Sequence, residues 1–375
     1  MSVTPDFSRT SSPVLQNVQA LRGIAVIMVM LGHIIAPKDF PWMEKGWIFF
    51  HWWAYAGADI FFVLSGFIIS GVVARYQAGD TAGARSRAAL GFLAKRFLRI
   101  YPFYWLVLAA SAMASYWVVI EPGMPHMPWW QVISLMTRFN WLVPPAWTLN
   151  FEVYFYAAVF VILQLFPRRF YLGIALMMAV HLGLFLFVAR PEEAMLTSAL
   201  VLEFGLGCGV ALLISNGRRA HAAFFLCAGL AYFLLGAGLT SQQGLLPSGL
   251  RTLSFGVGSA MILYAAVAAE LNGRYVAGRF MTMIGDASFS LYLWHKGMFM
   301  VLAALFGGAT LSALVPHALG VVLTILITAV FGIYFYRWVE RPWVRAANGW
   351  VGGRAQVAGP VSSERTKDLA PPRAI

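Results

Sequence analysis

The amino-acid sequence predicts an all-α fold, a polytopic transmembrane helical bundle of about ten spans with both termini in the cytoplasm. Three observations carry this. The 375 residues are 60% hydrophobic and only 11% charged, with a mean hydropathy of +0.72. Soluble domains carry roughly 25% charged residues, so this chain cannot clothe a water-facing surface and a soluble globular enzyme is excluded. The 15% aromatic content excludes a disordered chain as well. Apolar runs then recur at the ~20-residue length that a bilayer core requires of a helix. Finally, ten crossings put 21 of the 27 Lys and Arg residues on one side, which the positive-inside rule assigns to the cytoplasm.

Residues 1–17 are polar and lack an apolar core, so no cleavable signal peptide is expected. The first run spans 19–36, and further spans are read at 57–74, 101–120, 147–166, 170–189, 194–215, 220–240, 250–269, 283–305 and 315–338. Trp47–Tyr55, WIFFHWWAY, is rich in aromatics and fits an interfacial belt before the second span. The basic segment 75–99 reads as a cytoplasmic loop with an amphipathic helix around Leu90–Leu98. Residues 18–345 form one membrane domain, and 346–375 are expected to be a disordered polar tail. Cys208 and Cys227 both lie in apolar runs, so neither a disulfide framework nor a metal site is indicated. The +12 net charge is read as basic residues flanking membrane spans, not as a nucleic-acid surface.

Ionisable residues inside spans are costly, which makes them the useful functional signal. Arg22 and His33 are eleven residues apart in the first span. Eleven steps of a helix return to the same face within ~20° and rise ~16 Å. Arg22 is thus expected at the cytoplasmic mouth and His33 near the outer end of one stripe. Arginine suits phosphate, and neutral histidine is the usual general base. Lys95, Arg96 and Arg99 crowd the approach to Tyr101-Pro102, where they suit either anionic lipid or a phosphorylated ligand. Glu152 follows Trp147-Thr148-Leu149-Asn150 at the start of the fourth span and is expected at the depth of His33, as its partner. Asp59 opens the second span, as a helix cap or a partner. Glu203, His295 and Lys296 fall in mid-span, either as interhelical ties or as substrate contacts.

Taken together, these motifs resemble those of the acyltransferase-3 family of integral-membrane O-acyltransferases, from about Asn17 to Pro342. The resemblance rests on Arg22 and His33 in LRGIAVIMVMLGH and on Phe61-Phe62-Val63-Leu64-Ser65-Gly66-Phe67. It continues through Arg96, Arg99, Tyr101 and Pro102, then Trp147, Thr148, Leu149, Glu152, Tyr154 and Tyr156. Gly285, Ser288, Tyr292 and His295 follow, and Glu340 with Pro342 closes the series. AWTLNFEVYFY and NVQALRGIAV look most like the exopolysaccharide O-acetyltransferase branch. Many relatives add a C-terminal SGNH hydrolase-like domain, where this chain has a short tail.

The resemblance implies transfer of an acyl group, acetyl foremost, from acyl-CoA at the cytoplasmic side to a saccharide or lipid-linked glycan hydroxyl outside, in a bacterial inner membrane. It assigns the donor to Arg22, Arg96, Arg99 and Tyr101, and catalysis to His33 with Glu152 as its orienter. The acceptor falls to Asp59, Ser65, Trp147, Asn150, Tyr154 and His295. Acetyl-CoA or another acyl-CoA is the donor substrate; no metal and no nucleic acid is implied. Membrane lipid and polysaccharide-assembly proteins are the further partners. Direct transfer and an acyl-histidine intermediate both fit these residues, and a transporter or flippase of polysaccharide precursors is the alternative class.

Overall fold

The structure, a computed structural model, describes residues 15–34, 53–76, 81–117, 126–137, 139–188, 194–243, 246–306 and 317–357. Among these residues all regular structure is helical. Among the described residues, seven helices are long and apolar enough to cross a membrane: Trp53–Ala74, Gly83–Ala114, Pro144–Leu165, Phe170–Phe187, Ala222–Thr240, Ser248–Leu271 and Val322–Val351. Side chains on the outside remain apolar, as lipid contact demands: Phe187 is 86% exposed, and Leu172, Leu176, Val180 and Leu186 share its helix. The chain is a multi-pass helical membrane protein.

The elements follow the apolar runs. Helix α1 is Gln16–Ile34, α2 Gly57–Tyr76, α3 Ala82–Ala114, α4 Trp129–Ile133, α5 Trp147–Leu165 and α6 Phe170–Phe187. Then come α7 Val201–Ser215 and α8 Ala222–Gln243. Helix α9, Ser248–Leu271, contains a widened π turn at Thr252–Gly256. Helices α10 Arg279–Asp286, α11 Ser288–Phe306, α12 His317–Phe335 and α13 Arg341–Val357 complete the series, the last two joined by a π turn at Tyr336–Glu340.

Two readings of the sequence change in detail. The basic loop and the third span form one 33-residue helix. Pro102 is accommodated inside it, and the helix docks where the Trp343 indole donates to the Leu98 carbonyl at 2.9 Å. Residues 346–357, read as the start of a disordered tail, continue α13; 358–375 lie outside the described residues, as do Trp47–Trp52 of the aromatic belt.

Packing inside lipid relies on close backbone approach through small residues. At the α2–α7 crossing, a Cβ on Gly66 would lie 1.9 Å from the Phe204 carbonyl oxygen, and one on Gly207 would lie 1.9 Å from that of Val63. Only glycine fits either position. The N-terminus of α1 is pinned by Asn17. Its side-chain amide donates to the carbonyls of Ala266 and Tyr275, and its side-chain oxygen accepts from the Ala277 N–H.

Candidate functional site

Helices α1, α2, α3, α5, α7 and α11 enclose a cavity of about 680 Å³. Its walls are mostly apolar, with Arg22, Arg96, Arg99, Ser65, Glu152, Tyr156, Thr148, Ser288 and Tyr292 supplying the polar groups. The structure therefore unites three separate sequence motifs, the first-span arginine, the Arg96/Arg99 pair and Glu152, around one cavity. Arg22 also feels the charges of Arg99, Glu340, Asp286 and Glu152. The Arg96 guanidinium lies 5.6 Å from the ring centres of both Phe92 and Tyr156, a cation–π arrangement that stabilises a cation away from water.

Glu152 accepts hydrogen bonds from the hydroxyls of Ser65 (3.3 Å) and Tyr156. Its depth differs from the sequence expectation. Helices α1 and α2 run antiparallel, with Gly57 packed against Ala25 and Val29, and Gly32 against Ala54. Ser65 is eight residues further along α2, about 12 Å toward the Arg22 end of α1. Ser65 and Glu152 thus sit at the level of Arg22, a full ~16 Å of helix rise from His33. The cause is the chain before α5. Pro144–Ala146 forms a short buried 3₁₀ turn. It is reached through Asn140, whose amide donates to the Tyr104 hydroxyl and whose oxygen accepts from the Val143 N–H. Helix α5 therefore starts inside the bundle instead of at its outer surface.

His33 is set against other groups. Its Nδ1 bonds the Val29 carbonyl at 2.8 Å, and its ring meets Tyr55 edge-on at 5.2 Å and His295 at 5.0 Å. His295 is fully buried. Tyr292 links this pair to the cavity. Its hydroxyl lies 2.6 Å from the Pro145 carbonyl and 2.7 Å from the Thr148 hydroxyl, which itself reaches that carbonyl at 3.3 Å. The Tyr292 ring packs against Phe61 and His295. Thr148, Tyr292 and Phe61 thus separate the arginine-lined cavity from the two histidines.

Other residues singled out from the sequence have structural partners. The Asp59 carboxylate is fully buried and paired with Arg251, 2.7 Å from its Nη2 and 2.9 Å from its Nε. Arg251 lies over the Trp147 ring, 5.7 Å from its centre. Beside them the buried Glu203 accepts from Thr252 at 2.9 Å. Tyr154 bonds His181 at 2.8 Å, and Asn150 is buried within α5. Tyr101 stacks on Phe97 and donates to the Ser134 carbonyl at 3.0 Å, away from the cavity lining. Arg251 lies at the start of the span read at 250–269, a position that gives no sign of the distant Asp59. Among the described residues, no cluster of three metal-ligating side chains occurs.

The site thus lies in a multi-pass helical membrane protein whose cavity gathers three arginines, with a histidine pair beyond Tyr292. The chain belongs to the acyltransferase-3 family, whose model, described as an acyltransferase domain, matches residues 15–337. It is similar to the exopolysaccharide production protein ExoZ of Rhizobium meliloti (strain 1021), with 30% identity over 77% of this chain and 89% of that one. It is also similar to the peptidoglycan O-acetyltransferase OatA of Listeria monocytogenes, 22% identical over 91% of this chain and 57% of that protein. The O-acetyltransferase OatA of Staphylococcus aureus is 22% identical over 90% of this chain and 59% of the relative. No solved structure matches the chain.

Proposed function

We propose that the protein transfers an acetyl group from acetyl-CoA, bound from the cytoplasm, to a hydroxyl of an exopolysaccharide or its lipid-linked precursor on the outer side of a bacterial inner membrane. The supporting observation is the cavity in which Arg22, Arg96, Arg99 and Glu152 meet, below a histidine pair reached past Tyr292. Arginines offer planar, bidentate donors suited to the CoA phosphates. The mostly apolar walls suit the uncharged arm that carries the thioester inward.

Transfer is direct in this reading. The Nε2 of His33 takes the proton of the attacking hydroxyl as its oxygen bonds the thioester carbonyl carbon. The carbon–sulfur bond then breaks, and the proton passes to the departing thiolate, leaving an ester and CoA-SH. General-base assistance supplies roughly 10²–10⁴ in rate. Glu152 serves the donor end: its carboxylate balances the surrounding guanidinium groups and keeps them in place. The similarity to an exopolysaccharide production protein and to peptidoglycan O-acetyltransferases agrees with a polysaccharide acceptor. The charge asymmetry supports a cytoplasmic position for both termini.

The test is compositional analysis of surface polysaccharide in cells with and without the protein. Loss of ester-linked acetyl groups with polymer export intact supports transfer. Loss of the polymer itself, with acetylation of the remainder unchanged, favours a transporter.

A further inference from the structure

The serine and threonine hydroxyls on the cavity lining are paired within the protein, with one exception among the described residues. Ser65 donates to Glu152, and Thr148 bonds the Tyr292 hydroxyl. Ser70 and Ser215 turn theirs back onto carbonyls of their own helices, those of Gly66 and Leu212. Ser288 lines the same cavity and is 0% exposed, yet no protein group among the described residues bonds its Oγ. A buried hydroxyl without a partner is unfavourable. On a cavity wall, it is satisfied by what enters the cavity.

Depth decides which part of a ligand that is. Helices α10 and α11, separated only by Ala287, run parallel to α1. Gly285 packs against Gln19 and Gly23, and ten residues further along each helix His295 meets His33. Ser288 is three residues beyond Gly285, about 4.5 Å of helix rise, and Tyr292 is roughly one further turn on. Ser288 therefore stands between the level of Arg22 and the Thr148–Tyr292 contact that precedes the histidines. A donor whose phosphates sit on the arginines and whose thioester reaches the histidines passes Ser288 with neither of those groups. What passes is the uncharged pantetheine arm, whose amides carry strong hydrogen-bonding carbonyls.

We propose that Ser288 is a donor-binding residue whose hydroxyl donates to an amide carbonyl of the pantetheine arm of acyl-CoA. This rests on the acyltransfer reading above and extends its donor site beyond the arginines. The guanidinium groups hold the phosphates, and Ser288 sets how far the arm reaches toward Tyr292. Ser288 takes no part in the chemical step.

The experiment is isothermal titration of the full chain in lipid nanodiscs with acetyl-CoA and with analogues in which one or the other arm amide is replaced by methylene groups. One neutral hydrogen bond corresponds to about three- to ten-fold in affinity. The unaltered protein is expected to bind acetyl-CoA more tightly than one of the analogues by that factor. Ser288→Ala is expected to lose the same factor on acetyl-CoA and to bind that analogue as well as it binds acetyl-CoA, the non-additivity of two groups in contact. Because the Ser288 hydroxyl bonds no protein group, Ser288→Ala is expected to unfold at the temperature of the unaltered protein or above it, which a structural role would not allow. Unchanged acetyl-CoA affinity in Ser288→Ala would overturn the assignment. So would an undiminished preference for both amides in that variant, a lowered unfolding temperature, or equal binding of all donors by the unaltered protein. Absence of acetyl-CoA binding to the unaltered protein overturns the acyl-CoA reading itself, a result distinct from binding without discrimination.

Discussion

Glu152 and His33 stand on opposite sides of the Thr148–Tyr292 contact, with Glu152 held by Ser65 and Tyr156 and His33 set against His295. The two residues therefore serve different steps, and their variants are expected to differ in kind. Glu152→Gln keeps shape but loses the charge among Arg22, Arg96 and Arg99. It is expected to lower activity at least about ten-fold, mainly through weaker acetyl-CoA binding, since one unit of charge-assisted bonding is worth about 1.5–3 kcal/mol. His33→Ala is expected to leave acetyl-CoA binding intact. Isothermal titration of both purified variants checks this; equal donor affinity in Glu152→Gln and the unaltered protein would return Glu152 to a structural role.

Arg22 and Arg99 line the cavity from different helices. Arg22→Ala or Arg99→Ala is expected to weaken acetyl-CoA binding about ten-fold or more, by loss of one charge-assisted contact. Arg22→Lys recovers only part, because a point charge lacks the bidentate fork. Unchanged affinity in both alanine variants would move these arginines to lipid anchoring.

How far the sequence was legible depends on whether the signal was local. The apolar runs are local, and each of the ten segments read from them overlaps a helix of the structure, while seven helices among the described residues are long and apolar enough to cross a membrane. Arg22 and the Arg96/Arg99 pair were legible because a cation near a membrane span is conspicuous. The depth of Glu152 was not. Counting from Trp147 assumes that the span starts at the surface, whereas Pro144–Ala146 has already carried the chain inside. The meetings of His33 with His295 and of Asp59 with Arg251 join residues far apart in sequence, and no periodicity encodes them.

The Asp59–Arg251 pair gives a stability test. Removing one partner of a buried ion pair strands the other and costs about 3–5 kcal/mol, whereas replacing both with apolar side chains is often neutral. Asp59→Leu and Arg251→Met are each expected to lower the unfolding midpoint in detergent clearly, and the double variant to recover most of the loss. Additive losses in the double variant would contradict a role confined to the pair.

The α2–α7 crossing is equally specific. Gly207→Ala places a methyl 1.9 Å from the Val63 carbonyl oxygen, while a Cβ on Gly209 of the same helix meets nothing within 4 Å. Gly207→Ala is expected to reduce the folded yield sharply in fluorescence size-exclusion profiles, with Gly209→Ala unaffected. Similar profiles for the two would show that the crossing is looser than described.

The most direct measurement of the central claim is transfer of radiolabelled acetyl from acetyl-CoA to polysaccharide by the purified protein in nanodiscs, with His33→Ala compared at equal protein. The unaltered protein is expected to make alkali-labile acetyl ester, and His33→Ala to make it at least about 100-fold more slowly, the lower bound of general-base assistance, while still binding acetyl-CoA. Ester formation by His33→Ala at the unaltered rate would contradict the account.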